Sequence, residues 1–218
     1  MARLFLYPTT NPFTKGAFIM PNWCQNTLNV SGDEKSIAAF LTAARGRHAG
    51  YKDGFFYDID TREWPAHDDV RVKALTKEPA PLNDREHDFC MNALYPVPLD
   101  FRRFPFDDNS AYKLGVIVGE KRDFGGYRWQ TDNWGCKWDV DGELTERHPT
   151  FLQYRFDSPW SPPIAFFEKI APDFPTLTFE LEYHEPGMGY AGRSSFDNED
   201  WSEEELPIED FIEDWDEE

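Results

Sequence analysis

Three consecutive stretches decide the fold: Phe151-Leu152-Gln153-Tyr154-Arg155-Phe156-Asp157, Ser161-Pro162-Pro163-Ile164-Ala165-Phe166-Phe167, and Leu177-Thr178-Phe179-Glu180-Leu181-Glu182-Tyr183. In the first, Leu152, Tyr154 and Phe156 alternate with Gln153, Arg155 and Asp157, the period of a strand that buries one face. The third repeats the pattern, with Leu177, Phe179, Leu181 and Tyr183 on one side and Thr178, Glu180 and Glu182 on the other. Between them Ile164, Phe167 and Ala171 share a helical face. Ser161 is placed to cap that helix, Pro162 to open it and Pro172 to close it.

A second strand–helix pair lies upstream. Residues 26–30 alternate and run into Ser31-Gly32. Ile37, Phe40, Leu41 and Ala44 then recur at i, i+3, i+4, i+7 until Gly46. Ser31 with Glu34 has capping-box spacing, and Asp33 is the alternative cap. Residues 89–95 read as a further strand, halted by Pro96 and Pro98. The order strand, helix, strand, strand, helix, strand predicts an α+β fold, a ferredoxin-like split βαβ sandwich with an antiparallel sheet and two helices on one face. The opposite face would be polar, and without the aromatic and basic surface that stacks RNA bases.

Long insertions interrupt this pattern at about 46–86 and 97–150. A short hairpin is expected near residues 55–59, and 113–119 reads as strand or helix. The domain organisation is therefore an N-terminal extension over 1–19, the ferredoxin-like domain over 20–193, and an acidic tail over 194–218. In the tail Ile208, Phe211, Ile212 and Trp215 are spaced as a short amphipathic helix, which at this length needs something to dock on.

The chain has 218 residues, 40% hydrophobic and 17% aromatic, with 17 prolines, so burial must rest on a few large rings joined by irregular connections. The formal charge of −19 is concentrated at one end. Thirteen of the 41 acidic residues fall between Asp197 and Glu218, where no Lys or Arg occurs, and the remainder carries a net charge of −6. No basic stripe is present, so direct nucleic-acid binding is disfavoured. Such an acidic block is either solvated and disordered, or a docking or nucleic-acid-mimicking segment. Cys24, Cys90 and Cys136 are odd in number and form no CxxC, which fits a reducing compartment. The apolar run near the start is too short for a signal peptide or a membrane span, and the expected location is the cytoplasm.

Aromatic residues gather in three knots: Asn133-Trp134-Gly135-Cys136-Lys137-Trp138-Asp139, Ser158-Pro159-Trp160-Ser161-Pro162-Pro163 and Glu185-Pro186-Gly187-Met188-Gly189-Tyr190-Ala191-Gly192-Arg193. A lysine beside indole faces suits a planar or anionic ligand, by stacking and by charge. The expected ligand-binding residues are Trp134, Lys137, Trp138, Trp160, Tyr190 and Arg193. The alternative is that the indoles plug a small core while Lys137 covers them.

Gly187–Gly192 matches GxGxxG, but no helix inside a βαβ unit follows, so a dinucleotide site is not expected. His48, His67, His87, His148 and His184 show no HxxxH or HExxH spacing, and neither a metal nor a cofactor is expected. The only candidates for chemistry are Cys136, His184 and Glu185, with no paired-carboxylate, GxSxG or Walker motif to support them.

Met20-Pro21-Asn22-Trp23-Cys24-Gln25-Asn26-Thr27-Leu28, the first knot, Trp160-Ser161-Pro162-Pro163 and Glu185-Pro186-Gly187 together resemble the YubB-type ferredoxin-like family of phages and plasmids. The resemblance spans about residues 20–193. It implies a ferredoxin-like fold and a mobile-element origin, which would place the protein in the host cytoplasm, and it assigns no catalytic residue. The leading expectation is a non-enzymatic binding protein that captures a small nucleotide-like ligand or a host factor, as in counter-defence. The alternatives are an acidic interaction protein that acts on a host protein through its tail, and a small enzyme. Oligomeric state is not legible.

Overall fold

The computed structural model describes residues 22–52, 70–106, 125–197 and 200–211, which fall into two compact units. One comprises Pro21–His48, Asp84–Pro96 and Thr131–Glu218 and contains the sheet; the other comprises Met1–Met20, Ala49–Asn83 and Val97–Gln130.

The sheet unit starts with β1, Trp23–Gly32, whose even-numbered residues Cys24, Asn26, Leu28 and Val30 are buried. Helix α1, Glu34–Ala43, follows. Of the two expected caps, Asp33 does the work: its Oδ1 accepts from the N–H groups of Lys35 and Ser36 at 3.0 and 3.1 Å. The other unit contributes the helix α2, Val70–Leu75. There the guanidinium of Arg102 donates to Ala80 O, and Ala80 N–H donates back to Arg102 O at 2.8 Å.

Residues 89–95, expected as a strand, differ. Phe89 makes a single antiparallel bridge to Gly142, and Met91–Leu94 form a one-turn helix, α3. The Phe89 ring is fully buried among Tyr154, Phe156 and Phe167, so a side chain read as one member of an alternating strand instead plugs the core. Helix α4 covers Gly125–Trp134. The strand that takes the second position is β2, Glu143–His148, which pairs with β3, Phe151–Pro159.

Helix α5, Ile164–Ile170, buries Phe166, Phe167 and Ile170. Ser161 does not cap it; its Oγ donates to Gly135 O at 2.8 Å. Then come β4, Leu177–Glu185, β5, Tyr190–Asp197, and β6, Asp200–Leu206. The GxGxxG run forms the β4–β5 hairpin, with Gly189 at φ +71° where an L side chain would be strained.

The sheet order is β2-β3-β1-β4-β5-β6, antiparallel throughout. Its first four strands have the ferredoxin-like arrangement, and β5 and β6 extend it beyond β4. The expected acidic tail is therefore not a tail over its first part. Residues 200–206 pair in register with β5 from Asp197↔Asp200 to Ala191↔Leu206. Of the expected amphipathic helix, Ile208–Asp210 form one 3₁₀ turn, and Ile212 and Trp215 lie outside the described residues, as do 55–59 and 113–119.

Phe40 from α1 packs on Tyr154 and Phe179 at 6.4 and 5.3 Å between ring centroids, and Phe167 from α5 packs on Phe179 and Phe196 at 6.1 and 5.6 Å. Burial of each such ring is worth about 1.5–3 kcal/mol. The other sheet face is polar, and a ladder of side chains crosses all six strands. Thr145 Oγ1 donates to Gln153 Oε1 at 3.0 Å, Gln153 Nε2 to Asn29 Oδ1 at 3.1 Å, and Asn29 Nδ2 to Glu180 Oε1 at 3.3 Å. Arg193 continues it, with Glu180 and Glu204 each at 4.0 Å and Glu182 at 2.8 Å.

Candidate functional site

The first knot forms the end of α4 and the turn behind it. Trp134 is 0% exposed and its indole N–H donates to Tyr95 O at 3.1 Å. Gly135 has φ +78°, and a Cβ there would lie 3.4 Å from Ala165 N, so the chain can turn tightly against α5. The Cys136 thiol donates to Trp138 O at 3.2 Å, and burial pushes its pKa far up, the opposite of what a thiolate nucleophile needs. Lys137 Nζ sits 4.5 Å from the centre of the Trp138 ring, and Trp138 pairs with Trp23 at 6.1 Å.

Asp139 ends the knot as a cap supplied from outside the helix it serves. Its Oδ1 accepts from Met91 N–H at 2.7 Å and Val140 N–H at 2.9 Å, and its Oδ2 accepts from Asn92 N–H at 3.2 Å. Burial pushes this carboxyl up to about 6, against the pull of His48 and the three backbone donors.

In the second knot Trp160 holds φ +72°, a left-handed conformation unusual for a bulky residue. Two hydrogen bonds pin it: Trp160 N–H donates to Asn22 O at 2.9 Å, and Tyr190 OH donates to Trp160 O at 2.8 Å. In the third knot Glu185, 2% exposed, closes the hairpin by accepting from Gly187 N–H at 3.0 Å and from Met188 N–H. His184 stacks on Phe211 at 4.8 Å, and burial lowers its pKa despite Glu182 and Asp157 nearby.

The six expected ligand-binding residues thus fall in separate places. Lys137 meets Trp138, and Trp160 meets Tyr190. Trp134 is enclosed in the core, and Arg193 lies among Glu180, Glu182 and Glu204 on the polar sheet face.

A hollow of about 460 Å³ lies instead beside the first knot, lined by Trp23, Asp139, Asp141, Glu143, Arg155, Phe156 and Asp157. Strand register explains the lining on one side: Trp23, Arg155 and Asp157 share the polar face of β1 and β3, and Glu143 pairs with Arg155. The lining thus holds four acidic residues and one arginine, with Asp139 already capping α3 and Asp141 already beside Arg85. Burial raises the pKa of Asp157, with His184 opposing. None of the six expected residues lines this hollow. One signal for it was in the sequence, since Asp139 at the end of the knot is followed at alternate positions by Asp141 and Glu143. Trp23 gave no such signal, because only the β1–β3 pairing puts it on one face with Asp157.

Asp141 also joins the hollow to a second cluster. Its Oδ1 is 3.2 Å from His48 Nε2 and 3.4 Å from His87 Nδ1, and its Oδ2 is 3.7 Å from Arg85. The two imidazoles stack at 4.3 Å, and His48 Nε2 lies 3.0 Å from Val140 O. These histidines are far apart in sequence, so no short metal-ligand spacing could reveal them.

Residues 133–218 match the family model of the ferredoxin-like domain in Api92-like protein, a segment that begins with the first knot and includes β2 to β6. The crystal structure of a protein api92 from Yersinia pseudotuberculosis is similar to this chain at 13% identity and a TM-score of 0.43, covering 85% of this chain and 98% of that one. No curated protein matches it. Among the described residues no helix is long and apolar enough to cross a membrane.

Proposed function

We propose that this chain is a non-enzymatic binding protein whose ligand presents a cationic group, an amine or guanidinium, to the hollow beside Trp23. The observation that carries this reading is the lining: four acids around Arg155, of which Asp139 caps α3 and Asp141 meets Arg85, leaving Glu143 and Asp157, with an indole that is 43% exposed at one wall. Carboxylates pair with the cation's charge, and an aromatic face adds cation–π attraction. An anionic, nucleotide-like ligand, the kind the sequence suggested, would meet net repulsion in the same space. The candidates for chemistry have structural work instead, since Cys136 is sealed, His184 lies against Phe211 and Glu185 closes a hairpin.

A mobile-element origin belongs to this proposal through the YubB-type resemblance, and it makes a host protein with an exposed lysine or arginine a natural source of the cation. The acidic segment supports a second reading, in which β6 itself meets a basic partner: it is an edge strand bearing Glu203, Glu204 and Glu205, with Trp201 half exposed.

Calorimetric titration in the presence of a chelator decides between these ligands. The probes are an arginine-rich peptide, spermidine, ATP and ADP-ribose. Saturable binding of a cationic probe, weakened roughly tenfold (about 1.4 kcal/mol) by Asp157→Asn, is expected. Binding that survives Asp157→Asn but is lost on Glu205→Lys would move the site to β6. Binding of the nucleotides alone would overturn the cationic reading.

A further inference from the structure

We infer that His48, His87 and Asp141, together with the carbonyl of Val140, bind a divalent transition cation of the zinc class. Two imidazoles and a carboxylate are a donor set that suits such ions, and the Val140 carbonyl, a harder donor, stands at the fourth position. A tetrahedral ion about 2.0–2.1 Å from each donor sets the donors roughly 3.3 Å apart. Three separations already have that value: His48 Nε2 to Val140 O at 3.0 Å, His48 Nε2 to Asp141 Oδ1 at 3.2 Å, and His87 Nδ1 to Asp141 Oδ1 at 3.4 Å.

In the arrangement seen, His48 Nε2 lies within hydrogen-bonding distance of two oxygens, Val140 O and Asp141 Oδ1, which a proton on that nitrogen would bridge. A cation takes that proton's place, and the proton leaves to solvent or moves to Nδ1. The three side-chain donors all lie within 4.8 Å of one another, so the remaining closure is small. Parallel rings, here 5° apart, cannot both aim a lone pair at one ion, and binding therefore turns at least one imidazole.

The surroundings favour such a site. His87 is buried while the His48 side chain is 19% exposed, so His48 is the ring with room to turn, and Arg85, 3.7 Å from the second oxygen of Asp141, leaves the first oxygen to the ion. Because Asp141 borders the hollow, a bound ion has a side that water or a ligand donor can reach. This inference stands apart from the cationic-ligand reading, although the two share Asp141. An ion here would reduce the negative charge of the hollow, so the two kinds of ligand would compete.

The test uses the full chain, stripped with a chelator, then titrated with ZnCl2 by calorimetry and with CoCl2 by visible absorption. One ion per chain is expected, with micromolar or tighter affinity and the intense visible bands of four- or five-coordinate cobalt. His48→Ala and His87→Ala should each weaken binding by more than about 100-fold, beyond the 10–100-fold typical of outer partners. His148→Ala should leave it unchanged. If the buried His87 variant does not fold, Asp141→Asn, at an exposed position, provides the same reading. Zinc should raise the unfolding temperature of the parent chain and not that of the His48 variant. Absence of saturable zinc binding, or binding unchanged in both His48→Ala and Asp141→Asn, overturns the site.

Discussion

Trp134 is wholly enclosed, with its one polar atom donating to Tyr95 O, whereas Trp160 leaves 44% of its surface exposed and is held through its backbone. The same residue type therefore carries different loads. Trp134→Ala opens a cavity in the core and should cost about 3–5 kcal/mol in urea unfolding, whereas Trp160→Ala should cost less than half of that. Equal losses would place Trp160 in the core as well. The knots were conspicuous in the sequence because Trp, Gly and Lys were crowded together, but crowding does not say which way a ring points. Asp139 makes the same point: read as one end of an aromatic motif, it serves as the cap of α3.

Helix α1 and strand β6 show how elements of this chain are held at their ends. Asp33 caps α1, and the hydrogen bonds to its carboxylate lower its pKa. Its contribution to stability is thus present above its unfolded value near 3.8 and is lost as pH falls through the lower folded value. Asp33→Asn should flatten that acid limb in thermal unfolding followed between pH 2 and 7, and an unchanged limb would count against the cap. Strand β6 is tied down by Tyr183 OH donating to Glu203 Oε1 at 2.5 Å and by Arg193 between carboxylates from β4 and β6. Arg193→Met leaves Glu180, Glu182 and Glu204 facing one another. Amide exchange in 200–206 should then speed up while β1 stays protected; equal exchange in both strands would show that Arg193 does not hold the edge.

Strands β1, β3 and β4 were legible because each buries one face and so alternates. The edge strands β2 and β6 were not. Their residues are mostly exposed on both faces, as Glu143–His148 and Asp200–Leu206 show, and charge then replaces alternation. Strand β5 was hidden for another reason: on its core side Gly192 and Ser194 precede Phe196 and leave only one large apolar residue to mark the alternation, and Tyr183 OH lies 2.5 Å from where a Cβ on Gly192 would be. Phe89 misled in the opposite sense, since a buried aromatic residue in a short apolar run resembles a strand whether or not it has a pairing partner.

For the whole molecule, the acidity concentrated at the C-terminal end becomes partly structural, because the acids of β6 form a strand edge that repels unwanted pairing while carrying few apolar contacts. The sequence by itself determined the α+β class, the ferredoxin-like order of the inner strands and the polar open face, since these follow from periodic burial, which each segment displays on its own. Tertiary structure decided where the candidate sites form, beyond the one sequence signal of Asp139, Asp141 and Glu143. The acidic hollow exists because β1 pairs with β3, which puts Trp23 and Asp157 on one face with Gln25 opposite Asp157, and the His48, His87 and Asp141 cluster exists because three segments distant in sequence meet. Burial leaves a local imprint of period two or 3.6, whereas convergence of side chains across a sheet end leaves none.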